Sequence, residues 1–133
     1  MVRTGGCRCG AVRYVLDAEP IAVRLCWCRD CQYWACGNAA VNLIVPRAAV
    51  TVQGELRGWN SVADSGNAMR RSFCPACGTQ VFSEATANAE RMVIRVGTLD
   101  EPAGITPDTV IWTDSAPAWA TLDPSWQSFP RQP

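Results

Sequence analysis

Apolar and polar residues alternate along most of this chain in short runs, and the runs predict strands. Ala11–Asp17 (AVRYVLD) alternates with a period close to two. Ile21–Cys26 (IAVRLC), Ala40–Val45, Ala49–Val52 and Leu56–Val62 have the same β-rich character, as do Met69–Cys74, Thr79–Glu84 and Met92–Val96. Val110–Thr113 adds a last short candidate. Gly, Pro, Asn and Asp separate these runs at short intervals, as an all-β domain requires. One brief helix is predicted over Arg29–Ala35. No strand–helix–strand alternation is present, which argues against a Rossmann or thioredoxin-like chain. After Asp100 the pattern dissolves into a Pro- and Trp-rich segment. Trp112, Trp119 and Trp126 repeat every seventh residue, but Pro117 and Pro124 break any helix there. Residues 101–133 read instead as an extended segment whose indoles pack on a sheet body. The expectation is a single, mainly β domain over residues 1–133, with one short helix.

Composition narrows the functional classes. The chain has 133 residues, 48% apolar and 18% charged, which suits one globular core. Its formal net charge is zero, so it lacks the basic footprint of a nucleic-acid binder. Neither a signal peptide nor an apolar run of about 18 residues is visible, so a cytoplasmic protein without a membrane partner is expected. Lysine is absent, which excludes Schiff-base chemistry through a lysine amine. Histidine is absent too, so no imidazole can serve as base or metal ligand. The oligomeric state stays open, a homo-oligomer included.

The eight cysteines carry the chemistry. Cys74-Pro-Ala-Cys77-Gly78 is a CxxC knuckle, with glycine where positive φ is commonly needed. One knuckle supplies two ligands and a structural zinc takes four. Cys7 and Cys9 are the expected partners, presented from one face of an extended segment flanked by Gly5, Gly6 and Gly10. Cys26, Cys28 and Cys31 form a second, denser cluster, with Trp27 turned away from Cys26 and Cys28. Three protein ligands without an obvious fourth is the pattern of a catalytic zinc. Cys36 either closes that site or is an ordinary buried cysteine, and its spacing from Cys31 favours the buried reading.

Three ordered motifs carry a resemblance: Gly6-Cys7-Arg8-Cys9-Gly10, then Cys26-x-Cys28-x-x-Cys31, then Arg71-x-Phe73-Cys74-x-x-Cys77-Gly78. The segments Ile111-Trp112 and Ser115-x-Pro117-x-Trp119 extend it, over roughly residues 3–130. The chain resembles the glutathione-dependent formaldehyde-activating enzyme family, which also includes the centromere protein V-type zinc domains. The resemblance implies a zinc-stabilised β-sheet sandwich or tent, like that of the Rab-exchange zinc proteins and methionine sulfoxide reductase B. It implies a structural zinc on Cys7, Cys9, Cys74 and Cys77, and a second, more labile zinc on Cys26, Cys28 and Cys31. It also implies a carbon–sulfur lyase-type reaction that joins glutathione and formaldehyde to give S-hydroxymethylglutathione. The family's middle motif often reads Cys-His-Cys; here the central residue is Trp27.

Adding a thiol to an aldehyde needs a thiolate, a polarised carbonyl and a proton. Asp30 is the candidate proton carrier within the motif, although a carboxylate there also suits a helix start. Arg29, Arg70 and Arg71 are candidates for the substrate's carboxylates, and Trp27, Tyr33 and Trp34 for the pocket wall. Two other classes fit the same cysteines: a non-catalytic zinc scaffold, favoured if Cys36 completes the middle site, and a thiol-redox protein working through Cys28 with Cys31 or Cys36.

Overall fold

The computed structural model describes residues 2–133. It is mainly β, with two sheets and one short helix. The strands are β1 (Arg3–Gly6), β2 (Arg13–Leu16), β3 (Ala22–Cys26), β4 (Ala40–Pro46), β5 (Val50–Gln53) and β6 (Arg57–Val62). They continue as β7 (Ala68–Phe73), β8 (Gln80–Ala85), β9 (Arg91–Arg95), β10 (Thr109–Ile111) and β11 (Gln127–Ser128). The helix, α1, spans Arg29–Trp34. A three-stranded sheet runs β1-β2-β5, and an eight-stranded sheet runs β11-β10-β3-β4-β9-β8-β7-β6. Pairing is antiparallel except at β10, which lies parallel to both β3 and β11.

Every strand predicted from apolar alternation is present. β1 and β11 were not predicted, for physical reasons. β1 reads RTGG and has no apolar alternation; β11 has only two residues. Gly5 in β1 is required by packing, because a Cβ there would lie 2.3 Å from Tyr14 Oη and 2.4 Å from the Thr98 carbonyl oxygen. That close approach lets Tyr14 cross under β1 and hydrogen-bond Thr98 Oγ1 at 2.8 Å.

The two sheets meet in a dry layer. Tyr14 and Leu16 from β2 face Leu43 and Val45 from β4, Phe82 from β8, and Met92 and Ile94 from β9. The Tyr14 and Phe82 rings meet edge-on with centroids 5.3 Å apart. Each fully buried aliphatic side chain here contributes roughly 1.5–3 kcal/mol relative to exposure. Cross-strand register sets the opposite face. Leu43, Ile94 and Phe82 are paired on the dry side, so their neighbours Asn42, Arg95, Val93, Ser83 and Arg71 point the other way. A polar, arginine-rich face is therefore built into the back of the core strands.

A second core lies at the other end. Cys26, Trp27, Cys28, Cys31, Val110, Ile111 and Trp112 are buried together, with Trp126 and Phe129 packed against them. Residues 101–133 supply β10, β11 and three of those buried or packed aromatics. Trp119 alone of the three evenly spaced tryptophans is exposed, at 67%, and its ring meets Trp27 edge-on at 6.0 Å. No helix among the described residues is long and apolar enough to cross a membrane.

Candidate metal centres and the arginine-lined cavity

Seven of the eight cysteines gather into two groups. Cys7, Cys9, Cys74 and Cys77 bring their sulfurs within 4.8 Å of one another, and so do Cys26, Cys28 and Cys31. None is disulfide-bonded. Four sulfurs bound tetrahedrally at ~2.3 Å from one ion lie about 3.8 Å apart. Cys7 and Cys9 Sγ are 3.6 Å apart, and Cys9 and Cys74 Sγ are 3.8 Å apart. The first group therefore fits a tetrahedral, all-sulfur ion such as zinc.

Local backbone geometry builds this first group. Gly78 has φ 79°, and its N–H donates to the Cys74 carbonyl at 2.8 Å, closing the CxxC knuckle. Cys7 to Gly10 form a second turn, with Gly10 at φ 84° and its N–H donating to the Cys7 carbonyl at 3.1 Å. The pair Cys7 and Cys9 is thus presented by a turn, not by the extended segment the spacing suggested. Two outer groups act on the sulfurs. The Val12 N–H donates to Cys7 Sγ at 3.2 Å, and Thr79 Oγ1 lies 3.1 Å from Cys77 Sγ. The contact with Thr79 holds the Cys77 thiol down at about 5. Both favour thiolates, the form a metal requires.

The second group has a different construction. Cys26 ends β3, Cys28 caps α1 and Cys31 sits in its first turn. All three are buried. Hydrogen bonding among the sulfurs makes Cys31 the acidic member, well below the ordinary thiol range, while Cys26 and Cys28 are pushed up. The Arg95 and Arg71 guanidinium groups add positive charge beside Cys31. No further thiol or carboxylate joins the three sulfurs among the described residues. The donor set fits a zinc ion that keeps one position for another ligand.

Cys36 belongs to neither group. Contrary to the buried expectation it is exposed, with φ 57°, in the left-handed turn that ends α1. The Gly37 N–H donates to the Gln32 carbonyl at 2.7 Å, the long bond of a Schellman motif. That reversal turns Cys36 away from Cys31.

The three sulfurs open into a cavity of about 410 Å³. Its floor is the polar face of the large sheet, and Arg24, Arg71, Arg91 and Arg95 all line it. Arg71 is buried and held through both Nη atoms and the face of its guanidinium, while its buried Nε has no hydrogen-bond partner among the described residues. Its Nη1 donates to Ser61 Oγ at 2.8 Å, its Nη2 lies 3.5 Å from Asp30 Oδ2, and its guanidinium sits 4.5 Å from the centroid of the Trp34 ring. Arg95 is buried and donates to Asn42 Oδ1. Arg24, Arg91 and Arg95 were not singled out from the sequence. A lone arginine inside an otherwise apolar strand, with Arg24 two positions before Cys26, was the available signal.

Other sequence candidates lie elsewhere. Asp30 points to Arg71 and is not part of the cavity wall; burial raises its pKa, against the pull of Arg71. Arg29 donates to Gln32 Oε1 at 2.6 Å and stacks over Tyr33, which is 75% exposed. Arg70 donates to Asn60 Oδ1 at 3.2 Å. Trp27 is packed in the second core, and Trp34 lies behind Arg71.

A crystal structure of a protein from Rhodobacter sphaeroides has the same fold. It aligns with a TM-score of 0.60 at 22% sequence identity, covering 78% of this chain and 91% of that one. Residues 2–115, which hold both cysteine groups and the cavity arginines, match the family model described as glutathione-dependent formaldehyde-activating enzyme. The chain belongs to the glutathione-dependent formaldehyde-activating enzyme family.

Proposed function

We propose that this protein is a zinc-dependent, carbon–sulfur lyase-type enzyme that makes and splits the adduct of a small thiol with an aldehyde, glutathione and formaldehyde being the family's named pair. The observation that carries this reading is a buried three-sulfur group, without a fourth cysteine or carboxylate ligand among the described residues, opening into an arginine-lined cavity. In the forward direction the thiol sulfur bonds to the carbonyl carbon, the carbonyl π bond breaks, and the thiol's proton ends on the new hydroxyl. The reverse step returns aldehyde and thiol.

A zinc ion on Cys26, Cys28 and Cys31 would supply Lewis acidity and lower the pKa of a thiol beside it. Cys7, Cys9, Cys74 and Cys77 would hold a structural zinc that clamps the β1–β2 hairpin to the turn after β7. Arg71 and Arg95 stabilise negative charge at the cavity floor, where thiolate and developing alkoxide would sit. Asp30 acts behind Arg71, holding its fork in place, and the proton of the new hydroxyl comes from the thiol by way of solvent, since a guanidinium does not relay protons. The clustered cysteines, read as metal ligands rather than disulfides, support a cytoplasmic setting. A non-catalytic scaffold would be favoured by Cys36 closing the second site, and Cys36 is exposed outside it.

Exchange between free formaldehyde and its glutathione adduct, followed by magnetisation-transfer NMR, tests this reading. Wild-type protein should accelerate exchange above the uncatalysed rate, and Cys28→Ser should return it to background. Equal rates with and without protein would end the lyase reading.

A further inference from the structure

Gln32 follows Cys31 on α1 and is only 5% exposed. Burying a carboxamide is costly unless its polar atoms find partners, and here each end has them. Nε2 donates to the Trp27 carbonyl at 2.7 Å and to the Ser115 carbonyl at 3.0 Å. Oε1 accepts from Arg29 Nη1 at 2.6 Å. The Arg29 contact decides which way the amide faces. A guanidinium can only donate, so the amide oxygen must meet it, and both amide N–H groups are left for the two carbonyls.

Those carbonyls belong to two separate parts of the chain. Trp27 stands between Cys26 and Cys28, and its own N–H donates to the Ile111 carbonyl at 3.1 Å. With Gln32 on its carbonyl, both main-chain groups of Trp27 are held. The Gln32 N–H also donates to the Cys28 carbonyl at 3.0 Å. One residue therefore grips two successive carbonyls of the cysteine loop, the first by its side chain and the second by its main chain. Ser115 ends the short turn Thr113–Ser115 after β10, and Ile111 of β10 pairs with Cys26 of β3. The amide thus bolts the cysteine loop to the segment that borders it. None of its hydrogen bonds involves a sulfur, and none reaches the four-sulfur group.

We propose that Gln32 is the positioning residue of the second metal centre: its amide, oriented by Arg29, holds the Cys26–Trp27–Cys28 peptides in the arrangement the ion needs, and so sets how tightly the centre keeps its ion. This rests on reading the three sulfurs as a metal site. A three-sulfur centre has one protein bond fewer than the closed four-sulfur group, so it depends more on ligands held in place before the ion arrives. A loop whose peptide groups are already fixed has less conformational freedom to lose when the ion binds. The four-sulfur group, outside the reach of this amide, is an internal reference in the same molecule.

Titrating the cobalt-loaded protein with a competing chelator tests this, because the thiolate–cobalt bands report the affinity and the geometry of each ion. Gln32→Met keeps the length of the side chain and removes its three hydrogen bonds. It should weaken the second ion by roughly tenfold to a hundredfold, the range for losing a group that orients metal ligands, alter that ion's bands, and leave the first ion unchanged. Arg29→Met changes an exposed residue and strands no carbonyl, so it should fold, as circular dichroism would verify. Its second ion should be held with an affinity between those of the wild type and Gln32→Met. Gln32→Met within twofold of the wild type at the second ion, or an equal weakening of both ions, would overturn the positioning role while leaving the metal site in place. Arg29→Met indistinguishable from the wild type would overturn the orienting role of Arg29, and the whole proposal if Gln32→Met does not fold. A wild type that takes only one ion would overturn the second metal site itself, and the positioning role with it.

Discussion

The backbone N–H of Cys31 donates to the sulfur of Cys28 at 3.3 Å, so one candidate metal ligand caps the helix that delivers another. Helix start and metal site are one construction. Two substitutions at Cys28 separate the roles. Serine keeps a side-chain acceptor at the cap; alanine removes it. Cys28→Ala should be less stable than Cys28→Ser by about 1 kcal/mol, the usual worth of an N-cap, while both lose the second metal. Thermal melts alongside metal content check this.

Cys74 should behave otherwise. Its sulfur is fully buried and belongs to the four-sulfur group that joins the first hairpin to the turn after β7. Cys74→Ser removes a ligand from a closed site whose binding energy is folding energy. We expect it to unfold or strongly destabilise the protein, whereas Cys28→Ser spares the fold and abolishes turnover. Equal losses of thermal stability in the two variants would contradict this division.

Arg71 ties α1 to β6 and β7 through Asp30, Ser61 and Trp34. Arg71→Met keeps apolar contact with the indole but leaves Asp30 and Ser61 without their donor. A loss of about 1 kcal/mol in urea unfolding is expected, since the two polar groups left without a donor are half-buried and partly reached by water. Asp30→Asn, at a less buried position, should cost less.

The acid limb of stability should carry a contribution from Asp100. Arg13 and Thr4 bind its carboxylate and lower its pKa from 3.8 to about 2. A carboxyl with a depressed folded-state pKa stabilises the fold at pH above its unfolded value, and that contribution disappears as pH falls through the folded value. Wild type should therefore lose an advantage over Asp100→Asn between about pH 4 and pH 2. Comparing the two proteins cancels acid release of metal. Parallel curves through that window would remove Asp100 from the account.

Much of the site was legible in the sequence because its ligands are close together. CxxC followed by glycine, and three cysteines within six residues, bring sulfurs together through local geometry, and the sulfurs of each group lie close together, although Cys7 and Cys9 reach Cys74 and Cys77 from 65 residues away and from a turn rather than an extended segment. Apolar alternation likewise located the core strands. What was not legible depends on partners far along the chain. Arg24 meets Asn42, and Asn42 meets Arg95, only through β3–β4–β9 register. Arg70 and Arg71 look alike in sequence, yet strand alternation sends only Arg71 into the cavity. Cys36 looked like a buried residue until the Schellman turn placed it outside.

The central claim is that one cysteine group is closed and the other keeps a place for a thiol. Cobalt(II) substitution reads both at once, since thiolate–cobalt bands respond to ligand changes. The account predicts two cobalt ions per chain, with glutathione shifting the bands of one ion only, and no shift in Cys28→Ser. One ion per chain, or bands unmoved by saturating glutathione in the wild type, would contradict it.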